Sequence, residues 1–158
     1  MKVYEFGKEH TRSFAMFQCA VEPWWVFKAS AEEMPKDYHN KTMIETGRCE
    51  VVQGDVSDLK LLSDAFDLAT AFETIYFWPG LEKCFAQVAK VLKPGGYFMI
   101  CNESDGTDAT GLKFEKIIDG MKNHTVEEIE AALRAAVFSE VRSDHHPSKP
   151  WITVLARK

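Results

Sequence analysis

Apolar residues recur along this chain in helical and strand-like patterns. After Pro79, residues Leu81, Phe85, Val88, Val91 and Leu92 return at the spacing of a helix that buries one face, and the LKPGG segment that follows stops it. The runs FDLATAF (66–72) and YFMIC (97–101) are apolar almost throughout, which predicts parallel strands covered on both sides. Residues 49–53 predict another strand. Ahead of these, 2–6 and 13–19 are short β-type runs separated by a polar turn at 7–12. A helix over 24–34 is opened by Pro23 and disturbed by Pro35, and 40–46 adds a short helical segment that Gly47 ends. Beyond the strand at 97–101, two helices are predicted over 112–121 and 125–137. The second opens on a capping box, Thr125 with Glu128 three residues on. The strands 138–144 and 151–156 close the chain, and the turn HHPSKP joins them as an antiparallel hairpin. Alternating strands and helices that end in a hairpin give an α/β fold, with a mostly parallel sheet and an antiparallel edge.

Composition narrows the partners. The 158 residues form one domain by size, and 46% hydrophobic with 27% charged residues is ordinary for a globular protein. A formal net charge of −5 without a basic stripe argues against nucleic acid, whose phosphates are bound by clustered Lys and Arg. No apolar run approaches the roughly 20 residues that span a bilayer, so no membrane partner and a cytoplasmic location are expected. Cys19, Cys49, Cys84 and Cys101 are widely spaced, with no CxxC pair, and read as reduced core thiols. Asp144, His145 and His146 have the residue types of a metal site. Adjacent strand residues point to opposite faces, however, and the loop ESDGTD lacks the distal ligand of a calcium loop, so no metal is expected.

Four blocks in order, CEVVQGDVSDL, FDLATAFETIYFW, LEKCFAQVAKVLKPGGYFMICNE and the closing hairpin, resemble class I S-adenosylmethionine (SAM)-dependent methyltransferases of the small-molecule type. The resemblance covers residues 41–158. It implies a Rossmann-like sheet with helices on both faces, SAM as cofactor and a small-molecule substrate. Ligands of such sheets sit beyond the carboxyl ends of the strands, so strand-end residues carry the expected site. On this resemblance Asp55 would accept from the adenine amino group, and the Val56 amide would reach the ring; Asp55 also reads as a turn cap. Ala71, Phe72 and Glu73 would line the methionine portion of the cofactor and the substrate entrance. Glu73, Tyr76 and Trp78 are the substrate candidates, with a solvated carboxylate and a core aromatic cluster as the alternative readings. No catalytic residue is assigned.

Two parts of the family pattern are missing from the sequence. No GxGxG-like turn lets the cofactor approach the backbone, and nothing in residues 1–40 supplies an acid for the ribose hydroxyls. Residues 1–40 resemble the β-β-α opening of an α/β-hydrolase, although no GxSxG nucleophile elbow occurs. The expectation is therefore a truncated or chimeric chain in which residues 13–19 take the place of the first methyltransferase strand. Strands 49–53, 66–72 and 97–101 should be parallel neighbours, with 151–156 antiparallel beside the last. Three functions follow: a methyltransferase weak or inactive alone, a non-catalytic module that self-associates as a homodimer, or a methyltransferase completed by a swapped dimer.

Overall fold

The computed structural model describes the backbone of Phe14–Gln18, the helical residue Glu45, and residues 55–158. Five strands form one sheet in the order β1-β2-β3-β5-β4. They are β1 (Phe14–Gln18), β2 (Phe66–Phe72), β3 (Leu92–Asn102), β4 (Glu140–His145) and β5 (Ile152–Arg157). β1 and β3 flank β2 in parallel, whereas β5 pairs antiparallel with both β3 and β4. Phe14–Gln18 of the expected 13–19 run lies in the sheet parallel beside β2, and the strand expected antiparallel beside 97–101 is β5. A third strand, 49–53, is expected parallel in the same set. That segment lies outside the described residues, together with the predicted strand at 2–6, the helix at 24–34 and all but Glu45 of the segment at 40–46.

Helix α1 (Leu81–Val91) forms where the apolar spacing predicts it, and Leu81, Cys84, Phe85, Val88 and Val91 are its buried face. Helix α2 (Ala109–Glu115) starts earlier than expected, because Asp108 caps it by accepting from the Gly111 N–H at 2.7 Å. It also ends sooner than predicted. Helix α3 (Val126–Ala135) has both bonds of the Thr125/Glu128 capping box. α1 and α3 pack on each other and on one sheet face. There Phe98 lies parallel to Trp78 at 6.2 Å between ring centres, and meets Phe85 edge-on at 5.4 Å. Ala69 and Ala71 stand beside Phe98 and Ile100 in the sheet and leave room for these rings.

The LKPGG segment does more than end α1. β3 begins at Leu92, and its register with β2 shifts between Phe66 and Leu68. Gly95 takes φ +78°, and a Cβ on Gly96 would stand 2.9 Å from the Lys93 carbonyl oxygen and 3.2 Å from those of Phe66 and Asp67. A bare backbone is what admits β3 alongside β2 here. At the far end of α3, Phe138 N–H reaches the Leu133 carbonyl at 3.1 Å and Val137 N–H reaches Arg134 at 3.2 Å, a Schellman closure. Val137 holds the left-handed position with φ 68° and is 72% exposed, where glycine is the unstrained choice.

Two stability changes follow from these backbones. Val137→Gly should raise unfolding free energy by about 1 kcal/mol through relief of the left-handed strain. Gly96→Ala should lower it by about 2 kcal/mol because the new methyl meets backbone oxygens that cannot move aside. Urea denaturation of both variants measures the pair, and equal shifts of one sign would contradict the reading.

Candidate functional site

The parallel strands β1, β2 and β3 all point their carboxyl ends to one pole of the sheet, and the polar residues that follow β2 and β3 gather there. The Glu73 N–H donates to the Cys101 carbonyl at 3.0 Å, which extends the pairing one residue beyond β2. Glu73 sits at φ 55°, a conformation that costs energy for any residue with a Cβ. Its carboxylate turns toward β3, where Oε1 accepts from the Glu103 N–H at 2.5 Å. One residue further on, the Ser104 N–H donates to the Tyr76 hydroxyl at 3.1 Å. Two consecutive amides after β3 are thus held by two side chains from the end of β2.

Glu73 is partly exposed, and the partial burial of its carboxyl pushes it above its ordinary range, which the Glu103 amide only partly offsets. Tyr76 is buried, and that burial, reinforced by the neighbouring Glu73 charge, moves its phenol well above the usual value. It remains a neutral hydroxyl. The Tyr76 carbonyl also accepts from the Lys122 N–H at 2.8 Å, so the segment before α3 is tied to the same pole.

The other expected site residues divide. Asp55 caps a 3-10 turn, Val56–Asp58, by accepting from the Ser57 N–H at 2.7 Å, which uses one of its two carboxylate oxygens. Val56 is buried, and this turn packs against α1. Ala71 is fully buried at the end of β2, while Phe72 is 38% exposed. Trp78 departs from its expected role as a substrate residue: its indole belongs to the core cluster with Phe85 and Phe98, because the 3-10 turn Ile75–Phe77 directs it beneath α1. Of the expected set, Glu73 and Tyr76 meet adjacent amides after β3, and Ala71 and Phe72 precede them at the end of β2 on opposite faces of the strand.

Sequence reasoning missed Asn102, Thr74 and Ser104. Asn102 ends β3 as Phe72 ends β2, so the strand-end rule applied to 71–73 would have found it. Ser104 Oγ donates to Asp108 Oδ2 at 2.5 Å, and Asp105 Oδ1 accepts from Thr107 N–H and Oγ and from Asp108 N–H. These bonds make ESDGTD a self-closed loop. Among the described residues no cluster of His, Cys, Asp and Glu is placed to hold a metal, and no helix is long and apolar enough to cross a membrane. His146 instead meets Trp151 edge-on, with Lys149 Nζ 3.6 Å from that ring's centre. Burial pushes the Cys84 thiol up to about 11, and Cys101 moves in the same direction.

The mostly parallel sheet with an antiparallel C-terminal hairpin is the Rossmann-like methyltransferase architecture. A methyltransferase from Haloferax volcanii, solved in complex with the Trm112 methyltransferase activator, superposes with a TM-score of 0.66 over 92% of this chain and 71% of its own, at 15% identity. The family model described as a methyltransferase domain matches residues 19–100, and the chain belongs to that family. It is 33% identical over 86 residues to sterol methyltransferase-like 2 of Botryococcus braunii, covering 53% of this chain and 22% of that protein. It is 31% identical over 94 residues to a sterol 4-C-methyltransferase of Caenorhabditis elegans, covering 54% and 28%. The chain thus spans about a quarter of the length of these curated relatives. The family match opens at residue 19, inside the 1–40 stretch that resembles a hydrolase opening, and that resemblance finds no support among these relatives.

The raised Glu73 carboxyl carries a pH signature. Its folded-state pKa lies above the unfolded value, so the folded chain binds the proton more tightly. The stability contributed by the neutral form is present at low pH and is lost as pH rises through the carboxylate range. Glu73→Gln keeps an acceptor for the Glu103 amide and cannot ionise. Its stability relative to the wild type should therefore increase between about pH 4 and about pH 7. A difference that stays constant with pH, measured by urea unfolding, would show that Glu73 does not sense its burial.

Proposed function

We propose that this chain is a SAM-dependent methyltransferase domain acting on a small molecule, with its site at the carboxyl pole of β1, β2 and β3. The observation that carries the reading is the Glu73–Tyr76 pair at the end of β2, held against Glu103 and Ser104 within a fold of this family. Bound SAM supplies an electrophilic methyl group on a sulfonium. The donor set suits such a cation: Asp55 and Glu73 bring carboxylates, and Ala71 with the half-exposed Phe72 ring brings an apolar wall. Asp55 and the Val56 amide would receive the adenine, and Ala71, Phe72 and Glu73 the methionine portion. Glu73 and Tyr76 would orient the acceptor, so that binding energy is used for alignment. The small-molecule acceptor class follows the resemblance, and the two curated relatives above are named for sterols.

Affinity for the cofactor should be low. The sequence has neither the glycine-rich cradle nor a ribose acid, and each hydrogen bond to a charged group is worth roughly 1.5–3 kcal/mol. Every 1.4 kcal/mol is about tenfold, so losing a few contacts takes a micromolar ligand to the millimolar range. Calorimetric titration of the full chain with SAM and with S-adenosylhomocysteine should give millimolar dissociation constants that Asp55→Ala weakens further. Micromolar binding would overturn the low affinity. No heat from either ligand up to ~10 mM would overturn the cofactor assignment.

A further inference from the structure

Two polar side chains at this pole are buried without a partner. Asn102 is 3% exposed, and neither its amide nitrogen nor its amide oxygen makes a hydrogen bond; Thr74 is 1% exposed and its hydroxyl is likewise unpaired. Such groups are uncommon in folded chains, since each has given up water without compensation. Thr74 is the more telling because it occupies the N-cap of the Ile75–Phe77 turn, where threonine ordinarily bonds a backbone amide. Its backbone is in the right-handed helical region (φ −118°, ψ −32°), whereas a capping residue is extended, and no side-chain cap bond forms. Asn102 lies on the sheet face it shares with Phe98 and Ile100, one residue past the Cys101 carbonyl that receives the Glu73 amide. Thr74 follows Glu73 in the chain and Asn102 follows the Cys101 that the Glu73 amide bonds, so each unpaired residue is next in sequence to one partner of that bond; the Glu73 backbone itself is strained at φ 55°.

We infer that Asn102 and Thr74 form a binding subsite for a small uncharged group that both donates and accepts hydrogen bonds, such as a hydroxyl or carboxamide. The identification of that group as part of the methyl acceptor rests on the methyltransferase reading above. An amide offers two donors and an acceptor, and a threonine hydroxyl offers one donor and two acceptor lone pairs. A ligand with only acceptors, or an apolar one, would leave part of this set unpaired and so be rejected. Glu73, next to Thr74 in the chain, favours a group that carries a proton to donate.

The test separates ligand binding from architecture. Residues kept for a ligand leave the free protein less stable than it could be, so Asn102→Leu and the isosteric Thr74→Val should each raise the melting temperature of the full chain, by about 3–6 °C for Asn102→Leu. Ethanolamine, acetamide and imidazole at ~50 mM serve as probes, each having a donor and an acceptor and small enough to enter. At least one should raise the melting temperature of the wild type and lose that effect in both variants. A fall for Thr74→Val means that its hydroxyl is satisfied in the folded chain and overturns the inference, and this variant decides if Asn102→Leu does not fold. Silence of all three probes on the wild type overturns it as well. Failure of SAM to bind while the probes still register leaves the subsite standing and removes the methyltransferase reading; SAM binding with silent probes does the reverse.

Discussion

The close approach of backbones at Gly96 sets the register on which the carboxyl pole depends. With no Cβ to hold it off the Phe66 and Asp67 carbonyls, β3 leaves α1 and enters the sheet within a few residues, and the register shift is absorbed at once. From Leu68 onward the pairing is regular, so Phe72 stands beside Cys101, and the Glu73 amide bonds the Cys101 carbonyl. A slip of one residue would turn Asn102 to the opposite face and send the Phe98 ring out of the aromatic core. The geometry at one end of the strand is thus decided at the other.

The polar residues at that pole do two different jobs. Glu73 and Tyr76 hold the chain that continues from β3, and each accepts an amide that would otherwise be an unpaired donor near the sheet end. The side chains of Asn102 and Thr74 bond nothing within the fold, and their burial works against its stability. Such a division is common in proteins that bind ligands: one set of groups fixes the frame, while the other stays uncommitted. Trp78, Phe85 and Phe98 form an aromatic cluster in the core, with Phe98 on the same face of β3 as Asn102.

Where local pattern and tertiary structure coincide, the sequence is a good guide. The helix from Leu81, the strand 66–72 and the Thr125 capping box are read from spacing alone, because burial periodicity and capping are local effects. α2 was misplaced because Asp108 sits in a stretch of polar residues that reads as loop from end to end, and its role as a cap shows only once Gly111 is seen to donate to it. Burial by itself does not specify which strand lies alongside. Trp78 illustrates the same limit: FETIYFW is an aromatic run in any reading, and only the direction taken after the turn decides that Tyr76 meets the Ser104 amide while Trp78 joins the core. The missing partners of Asn102 and Thr74 are a property of three-dimensional surroundings, for which no residue pattern exists.

Lys158, just after β5, is fastened at the opposite pole. Lys158 donates its N–H to the Gly96 carbonyl and accepts from the Gly95 N–H, while Nζ reaches Asp64 at 2.7 Å and the Leu92 carbonyl at 2.6 Å. The strand before it, β5, lies between β3 and β4 and is paired along both edges. A pulling force applied at Lys158 would run along the axis of β5 and load both rows of hydrogen bonds in shear, all at once, instead of peeling them one by one. The hairpin that closes the fold is in that sense also its mechanical anchor, and the outer strand β4, paired on one edge among the described strands, is the place where forced unravelling would begin.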